Sequence, residues 1–224
     1  MTGKGPWDDP DLVKSMEVLN TFQQNGWFMG ALDRYYTVTF GERDESFASG
    51  KAAMNIEGTW FVGSALSLFG EANDNPNDWD WIPVPSASGE EIYDLGIGGS
   101  LSINKDTKNP DAAAEFLTYY YTPEVQARMI NSGYNGAPVP ISADLLTDVD
   151  PRYAAIIEAM GKASQSGGYG YTSWAFFPPK TEAMLLDVEK VWSGELTAQQ
   201  FMQQLQAQFD EEKAAGELPP IPAR

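Results

Sequence analysis

The 224-residue chain carries 32 acidic and 14 basic residues, a formal net charge of −18, and neither cysteine nor histidine. Those absences exclude disulfides, thiolate or imidazole zinc sites, cysteine nucleophiles and Ser-His-Asp triads, and the acidity disfavours nucleic acid and anionic membranes as partners. A hydrophobic content of 42% is enough for the core of one large domain or two small ones, and no apolar run approaches the roughly 20 residues of a membrane span.

The opening "MTGKGPWDDPD" has no apolar h-region and does not read as a signal peptide. A first helix is predicted after it, with Asp9 as cap, Pro10 at the first helical position and Gly26 as stop. Leu12, Met16, Leu19 and Phe22 would share one face. An aromatic loop, "GWFMGALDRYYTVTFG", follows. "ERDESFASGKAAMNIEGTW" then reads as a short helix, a stop at Gly50 and a strand from Met54 to Ile56. "TWFVGSALSLFG" is a second short helix. Between Lys51 and Lys105 there are eight acidic residues and no basic one, which reads as a solvated acidic face.

"NDNPNDWD" has the oxygen ligands of a calcium loop but lacks the EF-hand glycine and closing glutamate, so it reads as an Asn/Asp turn. A brief strand is expected from Trp81 to Val84, and an extended run from Ile92 to Asn104 with Gly98-Gly99 in its middle. Two helices follow, opened by Asn109-Pro110 and Thr122-Pro123 and stopped at Gly133. "YNGAPVPIS" is a loop, because Pro138 and Pro140 cannot donate to a central ladder. The last third is helical: "DPRYAAIIEAMGKA", then a glycine-aromatic loop "SQSGGYGYTSWAFFPPK", then "TEAMLLDVEKVWSG" and "LTAQQFMQQLQAQFDEEKAAG". Thr197 and Gln200 make a capping box, and Phe201, Leu205 and Phe209 line one face. Few strands among many helices make a mixed α/β pattern, which alone predicts an α+β or open α/β lobe.

Three stretches combine aromatics with glycine: Glu57-Gly58-Thr59-Trp60, Gly96 to Ser100, and Tyr169 to Phe177. Aromatic faces suit the C–H faces of sugar rings, and glycines let backbone N–H groups approach a ligand. Core packing is the commoner fate of any one tryptophan. Gly98-Gly99 lacks the Gly-Lys-Ser/Thr ending of a P-loop and the third glycine of a dinucleotide fingerprint, so neither nucleotide motif is present. A carboxylate-dependent glycosidase would use Glu57 as its acid, but no second carboxylate is singled out as its partner.

The order of the pieces is specific. "GKAAMNIEGTW", a segment ending "IPVP", "GGSLSINKDTKNPDAAAEFLTYYYTPEVQARMI", "GAPVPISADLL", an aromatic loop and two closing helices resemble, from about Phe47 to Phe209, the C-terminal part of extracellular solute-binding proteins of family 1. These are the sugar-binding components of ABC importers. The resemblance implies an α/β, periplasmic-binding-protein-like fold of type II. Residues 1–91 and 141–224 would form the C-terminal lobe, and 92–140 a hinge crossing and a segment of the N-terminal lobe. It implies a ligand site at Trp60, Gly98, Gly99 and Trp174, with Tyr171, Phe177 and Glu57 as neighbours. It further implies no catalysis, no cofactor and no metal. The expected partners are a sugar or oligosaccharide, the transmembrane permease subunits and the remainder of an N-terminal lobe. The place of action is periplasmic or extracellular, lipoprotein-anchored in the full-length parent. Members of the family are much longer, so the chain reads as truncated, with exposed strand edges and apolar helix faces and weak or no sugar binding alone. A glycan-active enzyme and a ligand-free structural lobe are the alternatives.

Overall fold

Proline at the first helical turn, where a missing N–H costs nothing, opens most of the longer helices in this protein. The structure is a computed structural model and describes residues 5–86, 89–94, 101–136, 139–170 and 178–219. The proline-led helices are α1 (Pro10–Gln24), α4 (Pro110–Tyr120), α5 (Pro123–Asn131), α6 (Pro151–Ser166) and α7 (Pro179–Leu185). The others are α2 (Phe40–Ala48), α3 (Phe61–Leu68), α8 (Glu189–Trp192) and α9 (Ala198–Ala214). Two-residue strands β1 (Tyr93–Asp94) and β2 (Tyr169–Gly170) pair in parallel, Tyr93 opposite Tyr169. Among the described residues the chain is therefore mostly helical, with one small sheet.

Several caps form as the sequence implies. The Asp9 and Asp150 carboxylates accept from the N–H groups of Asp11 and Arg152, and Thr197 and Gln200 close a reciprocal capping box. Asn109 and Thr122 sit at the cap positions of α4 and α5 without a side-chain cap bond. The Thr122 hydroxyl donates instead to the Tyr119 carbonyl at 2.8 Å. The helix expected over Thr181–Gly194 is interrupted at Asp187, whose ψ of 15° lies outside the helical range.

Two strand expectations fail: Met54–Ile56 and Trp81–Val84 lie outside any ladder among the described residues, while in the described part of the Ile92–Asn104 run Tyr93 and Asp94 pair. A strand exists only through its partner, and no partner for Met54–Ile56 or Trp81–Val84 lies among the described residues. The middle of the last run, with Gly98 and Gly99, lies outside the described residues, as do Pro138 and the aromatic loop from Tyr171 to Phe177.

Contacts group the chain into two compact units, one of residues 1–40 with 172–224, the other of residues 41–171. In the first, α9 turns Phe201, Met202, Leu205 and Phe209 into a core with Trp7, Val13 and Val191. Along α1 Val13 and Gln23 are buried and Met16 packs partly buried against the core, while Leu12 and Leu19 of the expected face are exposed. The fully buried Glu212 of α9 caps α7. Its oxygens accept from Lys180 N–H at 2.8 Å, Thr181 N–H at 2.9 Å and the Thr181 hydroxyl at 2.7 Å. Burial alone would raise its pKa, but these hydrogen bonds outweigh it and hold the carboxyl below the usual range.

In the second unit, Phe61, Val62 and Ala65 of α3 pack with Ala48, Phe69, Trp79 and Tyr153. The Asn/Asp loop ties this core together. Asn75 Nδ2 donates to the carbonyls of Ala48 and Leu68 at 2.9 and 2.8 Å, and Asn77 Nδ2 to Ala48 at 3.0 Å. Arg152 lies 4.3 Å over the Trp79 ring, donates to the Trp79 carbonyl at 2.9 Å, and pairs with Asp78 at 2.7 Å and Asp150 at 2.9 Å.

Candidate functional site

Trp60 occupies the position just before α3, with helical backbone angles (φ −61°, ψ −24°). The turn beneath it is closed by Phe61 N–H to the Gly58 carbonyl at 3.0 Å. The next residues, Phe61 and Val62, are buried, so α3 is anchored while its first ring is not. Trp60 is 61% exposed.

The ring folds back over the turn. A Cβ on residue 58 would fall inside the contact shell of Cζ3, Cη2 and Cε3 of the Trp60 indole. A side chain at 58 would therefore force the indole out of this position. The indole Nε1–H donates to Glu57 Oε2 at 2.5 Å. The other carboxylate oxygen, Oε1, is ion-paired with Arg43 of α2. The Glu57 side chain is only 7% exposed, and both its oxygens are engaged. Neither is left to protonate a glycosidic oxygen, which removes the geometric basis for Glu57 as a general acid.

A second exposed aromatic stands beside the same helix. Gly133 ends α5 with φ +76° and packs so tightly on α3 that a Cβ there would meet Gly63 Cα at 3.2 Å and Leu66 Cδ1 at 2.7 Å. The following residue, Tyr134, is exposed, with its Cε1 3.6 Å from where a Cβ on Gly63 would sit. The Tyr153 hydroxyl donates to the Tyr134 carbonyl at 3.2 Å and fixes the backbone there. Burial pushes the Tyr153 pKa up, keeping that hydroxyl a donor. Tyr134 escaped sequence reasoning, because "YNGAPVPIS" reads as a loop after the Gly133 stop; the signal was an aromatic directly after a helix-ending glycine.

Of the expected site residues, then, Glu57 and Trp60 meet in one turn. Gly98, Gly99, Tyr171, Trp174 and Phe177 lie outside the described residues. Among the described residues no cluster of three or more acidic side chains is arranged to hold a metal ion, and no helix is long and apolar enough to cross a membrane. An open groove of about 410 Å³ runs along α6, lined by Glu91, Tyr93, Ala155, Glu158, Ala159 and Lys162 among others. It is apart from Glu57 and Trp60, and its Glu158 and Lys162 pair with each other at 2.6 Å.

Comparison with known proteins supplies the context. The family model for bacterial extracellular solute-binding proteins matches residues 19–127. The chain is 26% identical over 191 residues to a maltotriose-binding protein of Pyrococcus abyssi, covering 82% of this chain and 36% of that protein. It is 27% identical over 151 residues to the xylose/arabinose-binding protein XacG of Haloferax volcanii, covering 66% of this chain and 29% of that protein. The chain spans about a third of the length of these relatives.

Proposed function

We propose that this chain, which matches the family model for bacterial extracellular solute-binding proteins over residues 19–127, is part of the substrate-binding component of an ABC importer for a sugar or oligosaccharide, with Trp60 as a stacking platform. One observation carries the proposal: a largely exposed indole is held in place over a glycine, in a chain similar to two proteins named for sugars. An aromatic face offers little to a charged solute and much to the C–H face of a pyranose. The role is binding, not turnover.

The proposal includes a fold of periplasmic-binding-protein type II with lobe boundaries near residues 91/92 and 140/141. It also includes a second lobe supplied by sequence outside these 224 residues, a permease as the receiving partner, and action outside the cytoplasmic membrane with a lipid anchor. The second lobe is supported by the share of the relatives' length that this chain spans. It is supported too by apolar pairs left in solvent at strand spacing: Met54 and Ile56, Ile82 and Val84, Leu101 and Ile103. Gly98, Gly99, Tyr171, Trp174 and Phe177, outside the described residues, are further proposed ligand contacts on the strength of the family resemblance alone.

Titration of this chain with maltotriose, xylose and arabinose, followed by calorimetry and by the Trp60 indole N–H resonance, tests both parts. We expect millimolar affinity and a moving Trp60 resonance. Micromolar binding would overturn the need for a second lobe. A saturating titration that leaves the Trp60 resonance fixed would remove Trp60 from the site.

A further inference from the structure

The indole of Trp60 is not merely exposed; it is restrained by a relay that begins one helix earlier. Arg43, in the first turns of α2, extends its guanidinium to two carboxylates. Nε and Nη2 donate to Asp44 Oδ1 at 3.3 and 3.2 Å, and Nη2 also pairs with Glu57 Oε1. Asp44 is further held by Asn55 Nδ2 at 3.5 Å. Glu57, its side chain almost wholly buried, passes its second oxygen to Trp60 Nε1–H. The relay thus runs Asn55, Asp44, Arg43, Glu57, Trp60. Each carboxylate in it is both charge-paired and hydrogen-bonded, the condition under which a buried acid is tolerated and well oriented.

We propose that Arg43 and Glu57 are positioning residues that orient the Trp60 indole and consume its only donor, so that Trp60 offers its ligand a ring face and no hydrogen bond. The inference rests on the reading of Trp60 as the platform and sharpens it. Trp has one polar atom, Nε1–H, and here that atom is committed to Glu57. Selectivity at this position then comes from the shape and C–H content of the ligand face. Hydroxyl recognition falls to other groups. A ring pinned before binding also loses less rotamer freedom when the ligand arrives. Glu57 therefore contributes to ligand affinity through Trp60, without touching the ligand.

The test uses the intact 224-residue chain labelled with 15N-tryptophan, the Trp60 indole resonance being assigned by its loss in Trp60→Phe. Solvent exchange of that N–H reads the relay without any ligand. We expect Glu57→Ala to speed the exchange by about tenfold or more, the loss of a hydrogen bond to a charged acceptor. Arg43→Ala should speed it several-fold, and Arg43→Lys should restore part of the protection. The other tryptophan resonances should stay in place in each variant. If Glu57→Ala does not fold, Glu57→Gln serves, because it keeps an acceptor oxygen but loses the charge pair; exchange intermediate between wild type and Arg43→Ala supports the relay. Wild-type exchange in both Arg43→Ala and Glu57→Gln overturns it. The two readings fail separately. If exchange responds as expected but maltotriose leaves the Trp60 resonance fixed, the relay stands and the platform falls. If the sugar moves the resonance while Arg43→Ala changes neither exchange nor affinity, the platform stands and the relay falls.

Discussion

Around α9 the apolar side chains find partners on α1, α7 and α8, whereas in residues 41–171 the pairs Met54 and Ile56, Ile82 and Val84, and Leu101 and Ile103 stand in solvent. Helix α4 shows the same contrast in helical form: it buries no residue, and Phe116 and Tyr119 are exposed. A helix satisfies its own backbone and needs only one packed stripe. A strand needs a neighbour for its backbone and a layer for its face. In the first unit the apolar stripe of α9 is covered by helices that these residues supply, and the exposed aromatics there, Trp27, Tyr36 and Phe40, lie outside that stripe. The second contains segments with strand patterning whose neighbours do not occur among the described residues, and its packing is correspondingly confined to α3 and what surrounds it.

Mutations that probe each unit should therefore differ in size. The largest effect is expected for Leu205→Ala, a fully buried side chain in the first unit, which should cost roughly 3–5 kcal/mol in urea unfolding. Next comes Glu212→Ala. It strips three hydrogen bonds from the start of α7 and should cost about 2–4 kcal/mol, with Glu212→Gln costing less. In the second unit the corresponding tie is Arg152, partly exposed among Asp78, Asp150 and Trp79. After allowance for solvent screening, Arg152→Ala should cost about 1 kcal/mol. The smallest effect is expected for Ile82→Ser, a change at a side chain 73% exposed. It should shift stability by less than about 0.5 kcal/mol while reducing aggregation. A large loss from Ile82→Ser would break the contrast by showing that this face is packed.

Acid should act on both units. The hydrogen bond from Arg152 holds the Asp150 carboxyl below its ordinary pKa, and Glu212 is likewise held low. Each binds its proton less readily folded than unfolded, so its contribution is fully present above the unfolded value of about 4 and is lost as pH falls through the lower folded value. Urea midpoints should decline below about pH 4. Asp150→Asn should flatten that decline for the second unit and Glu212→Gln for the first.

Much of the helical framework was legible. Asp9-Pro10, Thr122-Pro123 and the Thr197/Gln200 pair mark true helix starts, and Gly50 and Gly133 mark true stops with positive φ. The capping signals are local, so a single sequence carries them. Met54–Ile56 and Trp81–Val84 carry strand patterning too, but a ladder depends on residues remote in sequence, and local pattern cannot supply them. The same limit applies at the site. "EGTW" showed that Glu57, Gly58 and Trp60 share a turn, yet nothing local tied Arg43 to Glu57 or set Tyr134 beside Gly63. Both arise from packing of α2 and of the end of α5 on α3.

The Trp7 N–H donates to Gln206 Oε1 at 2.6 Å, across 199 positions of sequence, and this span has a consequence in time. A chain leaves the ribosome at about 5–20 residues per second, so α1 waits roughly 10 to 40 seconds for α9. Residues 41–171 are contiguous and can fold during that wait. Their unit would be in place before the other can close, and a nascent chain halted ahead of Phe201 would present α1 with its apolar stripe uncovered to whichever chaperone attends it.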